Sequence, residues 1–109
     1  MANTIRIPAA DIEEGEGYLV DADATGIDRA IAVFHAEDGQ FYALDDECTH
    51  AEASLSDGWV EGTEVECPVH SARFCLKSGE ALCMPATIDT RTHKVEVDGD
   101  DVVLHPSEA

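Results

Sequence analysis

Two short segments hold the residues whose types and spacing could do chemistry. "DECTH" at residues 46–50 contains Cys48 and His50, and "ECPVHSARFCLKSG" at residues 66–79 contains Cys67 and His70. The pattern is Cys-x-His, sixteen residues, then Cys-x-x-His. A tight loop can aim both side chains of such a pair at one point, so two thiolates and two imidazoles can converge on one site. Two chemistries use this donor set. One is a tetrahedral zinc site. The other is a binuclear iron–sulfur cluster with cysteine on one iron and histidine on the other. The order of ligands favours iron. A Cys₂His₂ zinc finger groups its cysteines and then its histidines, whereas each loop here supplies one of each. Both cysteines can then hold an inner iron and both histidines an outer one. The spacing and loop context argue against a chance set of core cysteines and surface histidines.

The elements that must position these loops read as strands. Helical periodicity is hard to find, and short alternating runs bounded by Gly, Asp and Pro dominate. "NTIRIP" puts Ile5 and Ile7 on one face, and "GYLVDA" and "RAIAVFHA" follow as strands. "AEDGQFYALD" is a hairpin turning at Asp38-Gly39, with Phe41, Ala43 and Leu44 resuming the strand. "RTHKVEVDGDDVVLHP" is a second hairpin turning at Asp98-Gly99, with Val95, Val97, Val102 and Leu104 as core candidates. Between the hairpins only short strands fit: "GWV", "EVEC" and "RFC". "ADIEEG" has room for one helical turn at most. The expectation is one all-β domain over residues 1–109: a β-scaffold from both ends of the chain carries a loop-rich insert from about residue 46 to residue 86.

With these elements in place, the two loops resemble the Rieske motif, and the similarity runs past the ligands. "CTHAEASLSDG" and "ECPVHSARFCLKSGEALCMPA" are similar to the cluster loops and proline-bearing cover loop of Rieske ferredoxins. These ferredoxins serve bacterial aromatic-ring-hydroxylating dioxygenases of the biphenyl, phenylpropionate and carbazole type. The resemblance covers nearly the whole chain. It implies an antiparallel β-sandwich with an inserted cluster-binding subdomain and a [2Fe–2S] cluster held by Cys48, His50, Cys67 and His70. It implies Pro85 in a loop shielding that cluster from water. It also implies a one-electron carrier between an NAD(P)H-dependent flavoprotein reductase and a terminal oxygenase in aromatic hydrocarbon catabolism. Another client (a nitrite reductase or a monooxygenase) keeps the same cluster, and a structural zinc domain binding a protein partner is the remaining alternative. The chain is not expected to be an oxygenase itself, because that needs a second domain with a 2-His-1-carboxylate iron site.

Departures from the membrane-complex branch of the family bear on the potential. That branch carries an extra cysteine in each loop, paired as a disulfide; the matching positions here are Ala53 and Val69. It also places a serine and a tyrosine hydroxyl near the cluster sulfurs, where this chain has Ala72 and Phe74. Losing two hydrogen bonds to sulfur disfavours the extra electron, so the resemblance implies a potential near the low end of the Rieske range, roughly −150 mV.

Composition narrows the partners. Six basic residues against twenty-four acidic ones give a net charge of −18 in 109 residues, with 44% hydrophobic content. Such a chain is globular and repels nucleic acid and anionic membranes. It is expected to be a monomer whose partners present positive charge. The N-terminus has neither a basic nor an apolar leader region, and no run approaches a membrane span, so a cytosolic setting is expected. That setting disfavours disulfides. From Ala30 to Ala72 there are ten Asp or Glu and no Lys or Arg. This stretch is either a solvated face or a docking rim, and a halophilic host would also produce it. Cys75 and Cys83 are expected to be small buried residues beside the cluster rather than ligands or a redox pair. His35, His93 and His105 are expected to be structural or solvated, and Trp59 to pack in the core or between subdomains rather than lie on an electron path. Gly58, Gly62 and Gly79 are expected to be turn residues.

Overall fold

The computed structural model describes residues 4–27, 29–47, 54–68, 73–82 and 89–106. Nine strands are present among them: β1 (Ile5–Pro8), β2 (Gly17–Val20), β3 (Ile31–His35), β4 (Phe41–Asp45), β5 (Trp59–Glu61), β6 (Glu64–Glu66), β7 (Arg73–Cys75), β8 (Thr92–Asp98) and β9 (Asp101–His105). Every pairing among them is antiparallel. Six strands form a sheet of order β1-β9-β8-β4-β3-β2, and β5-β6-β7 form a second, three-stranded sheet. The all-β expectation holds, as do both hairpin turns; Gly39 and Gly99 take the left-handed backbone those turns require.

β8 joins two halves of the larger sheet. Its first two residues pair with β4, while Lys94 to Asp98 pair with β9. The sheet folds over on itself, so that Ile7, Val102 and Leu104 from one half share a buried cluster with Val20, Ile31, Val33 and Ala43 from the other. The opposite face of β3 and β4 (Ala32, Phe34, Leu44) packs on Leu55, Val65, Cys67, Phe74 and Leu76 of the second layer. β3 is thereby buried on both faces, which explains why "IAVF" is a continuous apolar run and does not alternate. Truncating Phe34, fully buried between the layers, would cost about 3–5 kcal/mol.

Two sequence expectations are corrected here. Val97 is 59% exposed and is no core residue. Beyond His93, β8 has parted from β4, so the distal strand has a neighbour on one side only. "GYLVDA" stops being a strand at Val20, and a four-residue helical turn, α1 (Ala22–Thr25), follows. One turn is too short to show periodicity. It ends at Gly26 in the left-handed region and is fixed from below by the buried Thr25 hydroxyl, which stands 3.0 Å from the Ala22 carbonyl oxygen in the turn and 3.0 Å from that of Arg29 beyond it, and can donate to either. The "ADIEEG" turn is a 3-10 turn over Ala9–Asp11.

Candidate metal centre

The two ligand segments are each closed at the base by strand pairing. Glu47 bridges Ser54, which closes off positions 48–53. Glu66 pairs with Arg73 at the end of the β6–β7 hairpin, which closes off positions 67–72. A cysteine stands at the first position of each loop, Cys48 and Cys67, with His50 third in one and His70 fourth in the other. A third segment, 83–88, is tied at its base as well. Leu82 N–H donates to the Arg73 carbonyl, Ala81 N–H to Asp89, and Thr90 N–H to the Gly79 carbonyl.

The three bases are locked to one another. Leu55, just after the first loop, donates its N–H to the Asp46 carbonyl just before it. The 3-10 turn Leu55–Asp57 then leads through Gly58 into β5, whose Trp59 pairs with Glu66. A Cβ on Gly58 would stand 2.0 Å from the Glu66 carbonyl oxygen, and one on Gly79 would stand 2.2 Å from that of Thr90. Gly79 also has left-handed backbone, as a turn residue should. Gly58 also closes a turn, its N–H donating to the Leu55 carbonyl, but at φ −83°, so what demands glycine there is close approach and not backbone conformation.

Acidic side chains hold the first loop from below. Asp46 is 7% exposed; its carboxylate accepts from the Ser54 hydroxyl and the Ser56 N–H. Asp45 lies between His93 Nε2 at 2.7 Å and Arg29 Nη1 at 2.8 Å. Burial alone would raise its pKa, but these two partners hold the carboxyl below the ordinary range. Neither aspartate belongs to a solvated face or a docking rim, the two alternatives for this acidic stretch. They are instead structural acceptors, and only Glu47 of the "DDE" run is exposed. No local spacing signals the Asp45–His93 pair, whose members are 48 residues apart.

Of the four expected ligands, Cys67 is described: it is fully buried where β6 ends, in the apolar cluster with Leu55, Val65 and Phe74. Cys48, His50 and His70 lie outside the described residues, as do Ala53, Val69, Ala72, Cys83 and Pro85. The other histidines are structural, as expected. His35 stacks on Phe41 and meets the Ile12 carbonyl, His93 pairs with Asp45, and His105 pairs with Glu96. Two expectations fail. Trp59 is 60% exposed, because Val60 is the β5 residue that faces the core. Cys75 is half-buried on the outer side of β7, with Phe74 taking the inner side. Burial pushes the Cys75 thiol up, but the Ser78 hydroxyl and the N–H groups of residues 77 and 78 bring it below its ordinary value.

This chain belongs to the Rieske [2Fe–2S] domain family, whose model matches residues 5–94. It is 45% identical over 103 residues to the ferredoxin subunit of the 3-phenylpropionate/cinnamic acid dioxygenase of Shigella boydii, covering 94% of this chain and 92% of that one. In structure it is similar to the ferredoxin of carbazole 1,9a-dioxygenase from Nocardioides aromaticivorans (TM-score 0.84, 28% identity, 96% of this chain and 99% of that one). It is also similar to a chain in the complex of reduced oxygenase and oxidised ferredoxin of carbazole 1,9a-dioxygenase (TM-score 0.85, 30% identity, 97% and 95%). Its cofactor is accordingly a Rieske-type [2Fe–2S] cluster. The described residues fit that group: a thiol withdrawn from water at one loop base, and two adjoining closed loops whose sequence carries one sulfur and one imidazole donor each.

Proposed function

We propose that this chain carries single electrons from a flavoprotein NAD(P)H reductase to the terminal oxygenase of an aromatic-ring-hydroxylating dioxygenase system. In this reading Cys48 and Cys67 would hold the cluster through thiolates and His50 and His70 through imidazoles. The whole chain is one domain, and residues 46–86 form its cluster-binding part. The observation that carries the reading is the pair of base-closed loops that each begin with a cysteine, in a chain 45% identical to a dioxygenase ferredoxin subunit along nearly its full length.

The cluster, when bound, accepts and releases one electron at a time. The chain's own residues set the conditions. Leu55, Val65 and Phe74 keep water from the Cys67 side. Asp46 and the Glu47–Ser54 bridge fix where the first loop leaves the scaffold. His50 and His70 would supply the imidazole ligands through which electrons pass to and from partners. Ring hydroxylation with dioxygen takes two electrons, so the carrier docks on the oxygenase twice per turnover.

Reconstitution tests this. Reductase, oxygenase and NAD(P)H should form hydroxylated product only when the carrier is added, and the purified chain should hold two irons and two acid-labile sulfides. Product formation that ignores the carrier, or zinc without labile sulfide, would sink the reading. Replacing His50 or His70 should abolish electron delivery.

A further inference from the structure

The outer face of the three-stranded sheet holds a surface that the cluster chemistry does not use. Val60, Val65 and Phe74 point inward, so Trp59 and Glu61, Glu64 and Glu66, and Arg73 and Cys75 point outward. The register aligns Trp59, Glu66 and Arg73 in one row across the sheet. The row continues to Leu82: Ala81 bridges Phe74 and packs inward, and Leu82 N–H donates to the Arg73 carbonyl at 2.8 Å. Two large apolar side chains therefore stand at the ends of one row, Trp59 at 60% and Leu82 at 42% exposure. Between them Arg73 binds Glu66 at 3.0 Å and stands 3.6 Å from Glu61 and 3.5 Å from Glu64. Glu66 immediately precedes Cys67.

We infer that this row is a docking face for the oxygenase component, which meets it with an apolar pocket rimmed by Lys and Arg. An exposed tryptophan on a rigid strand is the kind of anchor that dominates protein interfaces. The charge of the face selects the partner. Three carboxylates surround one guanidinium, so a second copy of this chain would set acid against acid, and nucleic acid would be repelled. A basic-rimmed protein pairs with Glu61 and Glu64 while Arg73 keeps Glu66 in place. Because Glu66 adjoins a proposed ligand, docking here brings the partner alongside the cluster loops. The inference rests on the carrier reading for the identity of the partner.

Trp59 is the sole tryptophan of the chain, which provides a probe. Oxidised holoprotein labelled with 5-fluorotryptophan gives one ¹⁹F resonance, to be titrated with purified oxygenase and, separately, with reductase. A shift that saturates with oxygenase is the expected result. Trp59→Ala should raise the carrier concentration for half-maximal turnover about tenfold or more. Saturated turnover, cluster absorbance and midpoint potential should not change, and Trp59→Phe should recover most of the loss. Glu61→Gln with Glu64→Gln should flatten the salt dependence of the same parameter. An unmoved resonance while electrons are still delivered overturns the docking face and leaves the carrier reading intact. So does a shift with reductase alone. A saturating shift with oxygenase but no electron delivery does the reverse. If neither is seen, both fall.

Discussion

Gly58→Ala tests whether the loop bases are as tightly interlocked as the geometry shows. The backbone at Gly58 is one any residue can adopt, so the substitution adds no torsional strain and acts through sterics alone. The new methyl carbon would stand 2.0 Å from the Glu66 carbonyl oxygen, and real Cβ contacts do not fall below 3.0 Å. At least one ångström must open between the turn leading into β5 and the end of β6. The obstacle is backbone with no flexible end to swing away. Overpacking of this kind costs about 1–3 kcal/mol. With a urea slope of about 1–3 kcal/mol per molar, a loss of about 2 kcal/mol lowers the midpoint by roughly 1 M. The opening falls at the residue before Cys67, so iron and labile sulfide per chain should drop with it. Gly62→Ala is the control. Its φ of +62° imposes about 1–2 kcal/mol of strain, but nothing lies within 4 Å of the added methyl, so cluster content should hold. Gly58→Ala protein with wild-type midpoint and full iron would refute the interlock.

Three further outcomes follow from the same network. Asp46→Ala should cost about 2–3 kcal/mol by leaving the Ser54 hydroxyl and Ser56 N–H without their acceptor, and cluster should be lost faster to a chelator; Asp46→Asn, which keeps one acceptor, should cost less. Asp45, held below the ordinary carboxylate range by His93 and Arg29 despite its burial, contributes stability that is complete above about pH 4 and is lost as pH falls through its lowered pKa. Urea midpoints taken from about pH 6 to about pH 3 should therefore fall less steeply in Asp45→Asn than in the parent chain. The parent potential should lie near roughly −150 mV, and a value above zero would contradict the reading. Phe74→Tyr, in the same apolar cluster as Cys67, should raise it; a Tyr variant about 1–3 kcal/mol less stable with an unmoved potential would show a hydroxyl without a partner instead.

What could be read from the sequence is what local chemistry dictates. Asp38-Gly39 and Asp98-Gly99 announce hairpins because few residues tolerate those turn conformations, and both hairpins form. The Cys-x-His and Cys-x-x-His segments were visible because metal ligands need fixed spacing. Which side of a short strand faces the core was harder to read. In "GWV" the large aromatic looked like the core residue, yet the register of β5 on β6 sends the smaller Val60 inward and Trp59 outward. Val97 departs from the core for a related reason: its alternation is correct, but β8 has diverged from β4 by that point. Gly58 and Asp46 serve contacts to residues eight to ten positions on, made only once the loop and hairpin have closed, and no spacing rule reports those.

The acidity of the chain takes a different meaning once these contacts are known. A host-driven acidic surface would spread carboxylates into solvent without local tasks. In the described part of the stretch without Lys or Arg, most carboxylates have one. Glu37 accepts the Gly62 N–H and so ties the β5–β6 turn to the β3–β4 turn. Asp38 accepts from Gln40 and Tyr42 to set the hairpin, while Asp45 and Asp46 hold the first loop. Glu61, Glu64 and Glu66 encircle Arg73. Asp46, buried with both oxygens accepting hydrogen bonds, and Asp45, held between His93 and Arg29, cannot also meet a partner, so salt cannot act on docking through them. Glu61 and Glu64 are different, since both remain open to solvent beside Trp59. If salt weakens electron transfer, the sensitivity should follow those two glutamates and the exposed Glu47 rather than total charge. Charge-neutral replacements elsewhere, such as Glu13→Gln with Glu14→Gln on the far loop, should leave the salt profile unchanged; an equal effect from both sets would return the acidity to a general surface property.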